Sequence, residues 1–183
     1  VRLRVAPNVV SCSAAISACE TGGHWQPTLS LLELMRRFLV APNVVSYNAA
    51  ISACGKGGQW RLALGLFGAM SARRLTPDAV SYNSVLDAVL DRPVSHRLFR
   101  EALARGAYPA LLESRDAGCL DLHGLSVGAA SAAVHWWVAE AVAPHANASE
   151  AWDPQPQLWI ATGWGGTGRD WDRRWSEASD RPT

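Results

Sequence analysis

Residues 6–19 read APNVVSCSAAISAC, and residues 41–54 read APNVVSYNAAISAC, the same phrase at an offset of 35. A third copy opens at Pro77 as PDAVSYNSVLDAV. Aligning Pro7–Val40 on Pro42–Leu75 gives 17 identities in 34 positions, far beyond chance. No other feature constrains the fold as tightly. A chain built on a fixed period of this length is one supersecondary unit repeated, and each unit buries its apolar face on the next.

Each unit reads as two helices. In the second, Tyr47, Ala50, Ile51 and Cys54 fall at i, i+3, i+4 and i+7, one apolar helical stripe. Gly55, Gly57 and Gly58 then interrupt the pattern, as glycine does beyond a helix C-terminus. Trp60, Ala63, Leu64 and Phe67 repeat the spacing on a second helix. The first unit matches with Cys12, Ala15, Ile16 and Cys19, then Trp25, Thr28, Leu29 and Leu32. In the third, Ser95, Leu98, Phe99 and Ala102 mark the second helix, and Asp91-Arg92-Pro93 replaces the glycine turn. Stacked hairpins of this kind form an α-solenoid with a concave face.

Period and wording separate the helical-repeat families. Tetratricopeptide units run about 34 residues and carry an early W-x-x-L-G-x-x-Y, absent here. A 35-residue unit reading V-V-S-Y-N-x-x-I-S-A-C, then G-x-W-x-x-A-L-x-L-F-x-x-M, then L-x-P-D, resembles the pentatricopeptide repeat (PPR) family. The resemblance covers about residues 1–106. The phrases ISAC and GGQW are similar to arrays of dinoflagellate algae.

PPR proteins read single-stranded RNA at one base per repeat through two or three side chains. The resemblance implies that the fifth and last residues of each repeat read the base. With Val9 and Val44 as first positions, repeat one offers Ser13 with Asn43, and repeat two offers Asn48 with Asp78. Repeat three offers Asn83, with its last position lost where the pattern fades. By the family's code the first pair implies adenine and the second uracil. An Asn amide both donates and accepts, so it suits a Watson–Crick edge. The second-position residues Val10, Val45 and Val80 would sandwich the base. The local chemistry also allows a plainer account: Asn43 and Asp78 stand just before helices, where both are natural N-caps, and Asn48 and Asn83 could be solvated. Trp25 and Trp60 are expected in the core.

Composition shifts after about Gly106, and seven of the nine tryptophans lie between Trp136 and Trp175. Tyr108–Arg115 reads as a short connecting helix. Cys119–Gly124 reads as a strand ending at glycine. Ser126 is a plausible N-cap for a helix from Val127 to about Ala143. Leu158–Thr162 reads as a second strand running into the glycines at 163, 165, 166 and 168. The β-α-β order favours a small parallel sheet.

LDLHGLSVGAASAAVHWW, with LWIATGWG further on, resembles the Smr (Small MutS-Related) domain, over about residues 119–166. Some Smr domains nick nucleic acid and others bind it. Asp121 and His123 alternate along a strand and so face one side, where carboxylate and imidazole could hold a divalent metal such as Mg²⁺ or move a proton. They are the candidate catalytic residues of a metal-dependent endonuclease; the alternative is a structural role at a strand end. Thr162, Gly163, Trp164 and Gly165 form the family's glycine turn, whose backbone N–H groups can approach a phosphate. The tail GTGRDWDRRWSEASDRPT carries no β-like run, so the sheet reads as incomplete.

Charge adds little. The net charge is +1, with +4 over residues 1–90 and −3 over the rest, so no whole-chain basic footprint points to nucleic acid. Arg36-Arg37 and Arg73-Arg74 are nearly repeat-equivalent and could follow an RNA backbone or lie on a solvated face. No apolar run is long enough to span a bilayer. Four cysteines without a C-x-x-C pair exclude a disulfide framework or zinc knuckle. His24, His96, His135 and His145 show no metal-ligand spacing. Gly163-x-Gly165-x-x-Gly168 lacks the βαβ context of a dinucleotide site. The C-terminal tryptophans could stack bases or form core. The chain opens on Val1 inside the periodic pattern, which predicts further repeats upstream and any targeting segment beyond them.

The expected architecture is α plus α/β. A PPR α-solenoid fills 1–106, a connecting helix or linker 107–116, an incomplete βαβ Smr-like unit 117–170, and a charged tail 171–183. The expected function is sequence-selective binding of single-stranded RNA in a chloroplast or mitochondrion, with no membrane and no dinucleotide cofactor. The alternatives are an RNA endonuclease and a protein-binding scaffold.

Overall fold

A computed structural model describes residues 8–115, 119–139 and 159–161. Six helices form three hairpins: α1 (Val9–Thr21) with α2 (Trp25–Arg37), α3 (Val44–Lys56) with α4 (Trp60–Ala72), and α5 (Ala79–Ala88) with α6 (Val94–Ala104). Then come α7 (Pro109–Arg115), β1 (Cys119–Asp121), α8 (Val127–Trp137) and β2 (Trp159–Ala161). The first helices α1, α3 and α5 pack in a continuous row, and each second helix lies against its own partner. This is the helical-hairpin solenoid that the repeat implies.

The same local device starts each first helix. Asn8, Asn43 and Asp78 accept a hydrogen bond from the backbone N–H of Ser11, Ser46 and Ser81, and each serine side chain reaches back to the cap residue's N–H. These capping boxes satisfy amide groups that the first turn leaves unpaired. The turn between the helices needs a left-handed residue. Gly23 (φ 64°) and Gly58 (φ 71°) supply it in the first two units, and Asp91 (φ 62°) does so in the third. Aspartate tolerates this region better than most residues.

The expected stripes are the ones that pack. Ile16, Ala50, Ile51, Cys54, Ala63 and Phe99 are fully buried. Helix α3 is buried continuously from Ser46 to Ile51, because it is sandwiched between the first and third hairpins. Burial pushes the Cys54 thiol up to about 11, so it serves as a small apolar core group. Trp25 and Trp60, expected in the core, pack against it and are half-buried. The outer side of the Trp60 ring carries the Arg61 guanidinium at 4.4 Å and that of Arg92 at 5.2 Å.

The connecting segment is packed rather than free. Tyr108 and Leu111 are buried in the same core as α5, α6 and α8. Phe99 stacks on Tyr108 at 5.8 Å between centroids and meets Trp136 at 6.1 Å. One apolar core therefore runs from the second hairpin through α8. Trp136 and Trp137 belong to it, the core alternative for these two tryptophans.

β1 and β2 pair in parallel, with Cys119 opposite Trp159, Leu120 opposite Ile160 and Asp121 opposite Ala161. A β-α-β order with a parallel pair is thus present. Helix α8 packs on α5 and α6. A Cβ on Gly128 would come within 2.4 Å of the Leu86 carbonyl oxygen, so only glycine permits this approach. Gly55 plays the same part between α3 and α5, where a Cβ would meet that of Ala88 at 2.9 Å. Among the described residues, no helix is long and apolar enough to cross a membrane.

Candidate nucleic-acid interface

The capping boxes also build the junctions between hairpins. Ser13 on α1 is buried, and its hydroxyl lies 2.8 Å from that of Ser46 on α3. Ser46 Oγ in turn donates to Asn43 Oδ1 at 2.9 Å. Ser13 and Asn43, 30 residues apart in sequence, are thereby joined through one hydroxyl.

The next junction repeats the geometry with stronger partners. The Asn48 amide donates from Nδ2 to Asp78 Oδ1 at 3.2 Å. Ser81 Oγ lies 2.7 Å from Asn48 Oδ1 and 2.8 Å from Asp78 Oδ1. Burial pushes the Asp78 carboxyl up, but hydrogen bonds from Ser81 and Asn48 outweigh it and hold the group below its ordinary range. An Asn side chain has two donors and two acceptor lone pairs. The protein uses one donor and one lone pair of Asn48, which leaves one of each for a ligand. The Asn48 amide and the N–H and hydroxyl of Ser81 converge on Oδ1 of Asp78, and its Oδ2 takes part in none of these three contacts.

A cleft of about 240 Å³ opens on this pair, lined by Ser17, Glu20, Val45, Asn48, Asp78 and Val80 among others. Val10, Val45 and Val80 are 72%, 57% and 57% exposed on α1, α3 and α5. Apolar side chains this exposed at the same place in three successive units form a regular row. Across the first junction, Glu20 on α1 accepts from Ser52 Oγ at 2.7 Å and Lys56 Nζ at 3.1 Å, both on α3.

Asn83 is placed differently. Its Nδ2 donates to the Gly124 carbonyl at 2.8 Å, and its Oδ1 accepts from the Tyr108 hydroxyl at 2.9 Å. Ser126, the N-cap of α8, donates to the Asn83 carbonyl at 3.2 Å. Burial raises the Tyr108 hydroxyl well above its ordinary range, which keeps it a donor. Asn83 is thus held by the segment that follows the repeats.

Asp121 and His123 are brought together. Asp121 Oδ1 accepts from the His123 backbone N–H at 2.9 Å and also contacts His123 Nδ1. Asp121 ends β1 and His123 sits in the turn beyond it. Thr162, Gly163, Trp164 and Gly165 lie outside the described residues. Arg36 and Arg37 close α2, where Arg36 pairs with Glu33 at 3.0 Å. Arg73 and Arg74 follow α4. Both arginine pairs therefore sit on the second row of helices, apart from Ser13, Asn48 and Asn83.

Ser46, Ser81 and Tyr108 are the site residues that sequence reasoning missed. The serines were visible as the invariant S of V-S at 11, 46 and 81, followed by a variable fifth position. Tyr108 left no such trace.

No curated protein matches the chain. Two family models do match: a pentatricopeptide repeat domain over residues 1–57 and a PPR repeat family over residues 42–91. Residues 1–91 are accordingly a run of pentatricopeptide repeats, a family that binds RNA and is common in organelles.

Proposed function

We propose that the chain binds single-stranded RNA with sequence selectivity, reading bases at the junctions between its hairpins, in the service of RNA processing or stability in an organelle. The observation that carries this is the Asn48–Asp78 pair. Its side chains are fixed by Ser81, keep an unused donor and acceptor, and face a cleft flanked by exposed Val45 and Val80. The pair suits uracil, whose edge offers one N–H between two carbonyls. Ser13 with Asn43 would take adenine one step earlier. Asn83 contributes less, because Gly124 and Tyr108 hold its amide and the N-cap facing it is Ser126 rather than an aspartate.

The test is fluorescence anisotropy on short labelled RNAs that differ at one base. Asn48→Ala should weaken a uridine-containing target about tenfold, roughly 1.4 kcal/mol, and leave an all-adenosine control unchanged. Affinity should fall linearly with log salt. Binding that ignores both base and salt would replace this reading with a protein-binding scaffold.

The contact between Asp121 and His123 favours a second reading, an Smr-like α/β unit from about residue 117 that cuts the RNA selected by the repeats. A carboxylate that orients an imidazole equips it to move a proton. RNA cleavage that His123→Ala abolishes, with RNA binding intact, would establish it.

A further inference from the structure

His96 and His135 stand 39 positions apart, yet their rings meet across the α6–α8 contact. The centroids are 5.4 Å apart and the ring planes cross at 77°. Both side chains are exposed. They line a cavity of about 350 Å³ together with Asp91, Arg92, Ser95 and Ser131. From this geometry we propose that His96 and His135 form a two-histidine site for a borderline divalent transition ion of the zinc class, which staples the third hairpin to α8.

The distances fit. A zinc-bound imidazole nitrogen lies about 2.0–2.1 Å from the ion, and its ring centroid about 1.2 Å further. Two such arms at a tetrahedral angle hold the centroids about 5.2 Å apart, close to the 5.4 Å observed. The Cβ–Cγ axis of histidine passes through the ring centre, so turning χ2 re-aims a nitrogen without moving the centroid.

The surroundings also fit. Imidazole suits zinc, copper and nickel, whereas magnesium and calcium take oxygen ligands. Among the described residues no three candidate ligand side chains gather in one place, so water fills the remaining coordination positions. The cavity has room for several waters at roughly 30 Å³ each. The Arg92 guanidinium, which also lines the cavity, lies over the Trp60 ring at 5.2 Å. Serines at 95 and 131 can hydrogen-bond the bound waters.

The site is independent of RNA reading, and thermal unfolding of the whole chain with ZnCl₂ or MgCl₂ tests it. Zn²⁺ should raise the midpoint saturably, by roughly 3–6 °C at about tenfold excess over half-saturation, and Mg²⁺ should not. His96→Ala and His135→Ala should each abolish the rise, and His96→Gln should behave as His96→Ala. His123→Ala should keep it. Co²⁺ bound to the native chain should show a visible band without thiolate charge transfer, lost in His135→Ala. No rise with Zn²⁺ would overturn the proposal. So would a rise that survives both alanine variants, or one lost only in His123→Ala, which would place the ion on the Asp121 pair.

Discussion

The α3–α5 junction and the α5–α8 junction solve one packing problem with different materials. In both, a glycine lets two helices approach closely, Gly55 against Ala88 and Gly128 against Leu86. In both, an N-cap of the incoming helix bonds to the fifth residue of the preceding unit, Asp78 to Asn48 and Ser126 to Asn83. The contents differ. Asp78 meets the Asn48 side chain with a carboxylate and leaves a cleft, whereas Ser126 meets only the Asn83 backbone and the Asn83 amide is taken by Tyr108 and Gly124. Solenoid packing needs only a helix with the right cap and a glycine, supplied here by α8. The amide–carboxylate pair and its cleft need the repeat's own side chains.

Both junctions should belong to one cooperative body. Phe99 joins the third hairpin to Tyr108 and Trp136. Phe99→Ala should cost about 3–5 kcal/mol. Helicity followed by circular dichroism and tryptophan fluorescence should still change in one coincident transition. Two separated transitions would show that the hairpins and α8 unfold independently.

A smaller change sharpens the equivalence of the two glycines. Gly128→Ala forces a methyl group onto the Leu86 carbonyl and should destabilise the chain by about 1–3 kcal/mol, despite alanine's better helix propensity. Gly55→Ala would meet the Ala88 Cβ at 2.9 Å and its Cα at 3.1 Å, less severe than the 2.4 Å approach at Gly128, and should cost less. Denaturant midpoints at equal m-value would rank the two.

The smallest effect isolates the carboxylate that distinguishes the junctions. The folded Asp78 carboxyl titrates below its unfolded value. Its contribution to stability is therefore complete above the ordinary carboxylate pKa of about 3.9 and lost as pH falls through the depressed value. Asp78→Asn keeps a good cap but removes this titration. Wild type should lose stability more steeply than the variant from about pH 4 downward, and equal slopes would deny Asp78 the role.

The hairpins are legible in local sequence. A 35-residue period, stripes such as Tyr47, Ala50, Ile51 and Cys54, and caps at Asn43 and Asp78 are local facts, because helix geometry turns spacing into a face and a short polar residue into a cap. The pairing of Ser13 with Asn43 and of Asn48 with Asp78 came from the resemblance to the PPR family rather than from spacing, and hydrogen bonds join both pairs. Tertiary structure alone decided the rest. Tyr108 and Gly124 claim Asn83 because α8, which carries no copy of the repeat, docks where a further first helix would lie. Asp121 meets His123 because β1 ends between them and the chain turns back. His96 meets His135 because α6 and α8 cross there. Contacts between unlike segments carry no period, and no local spacing records where two such segments will touch.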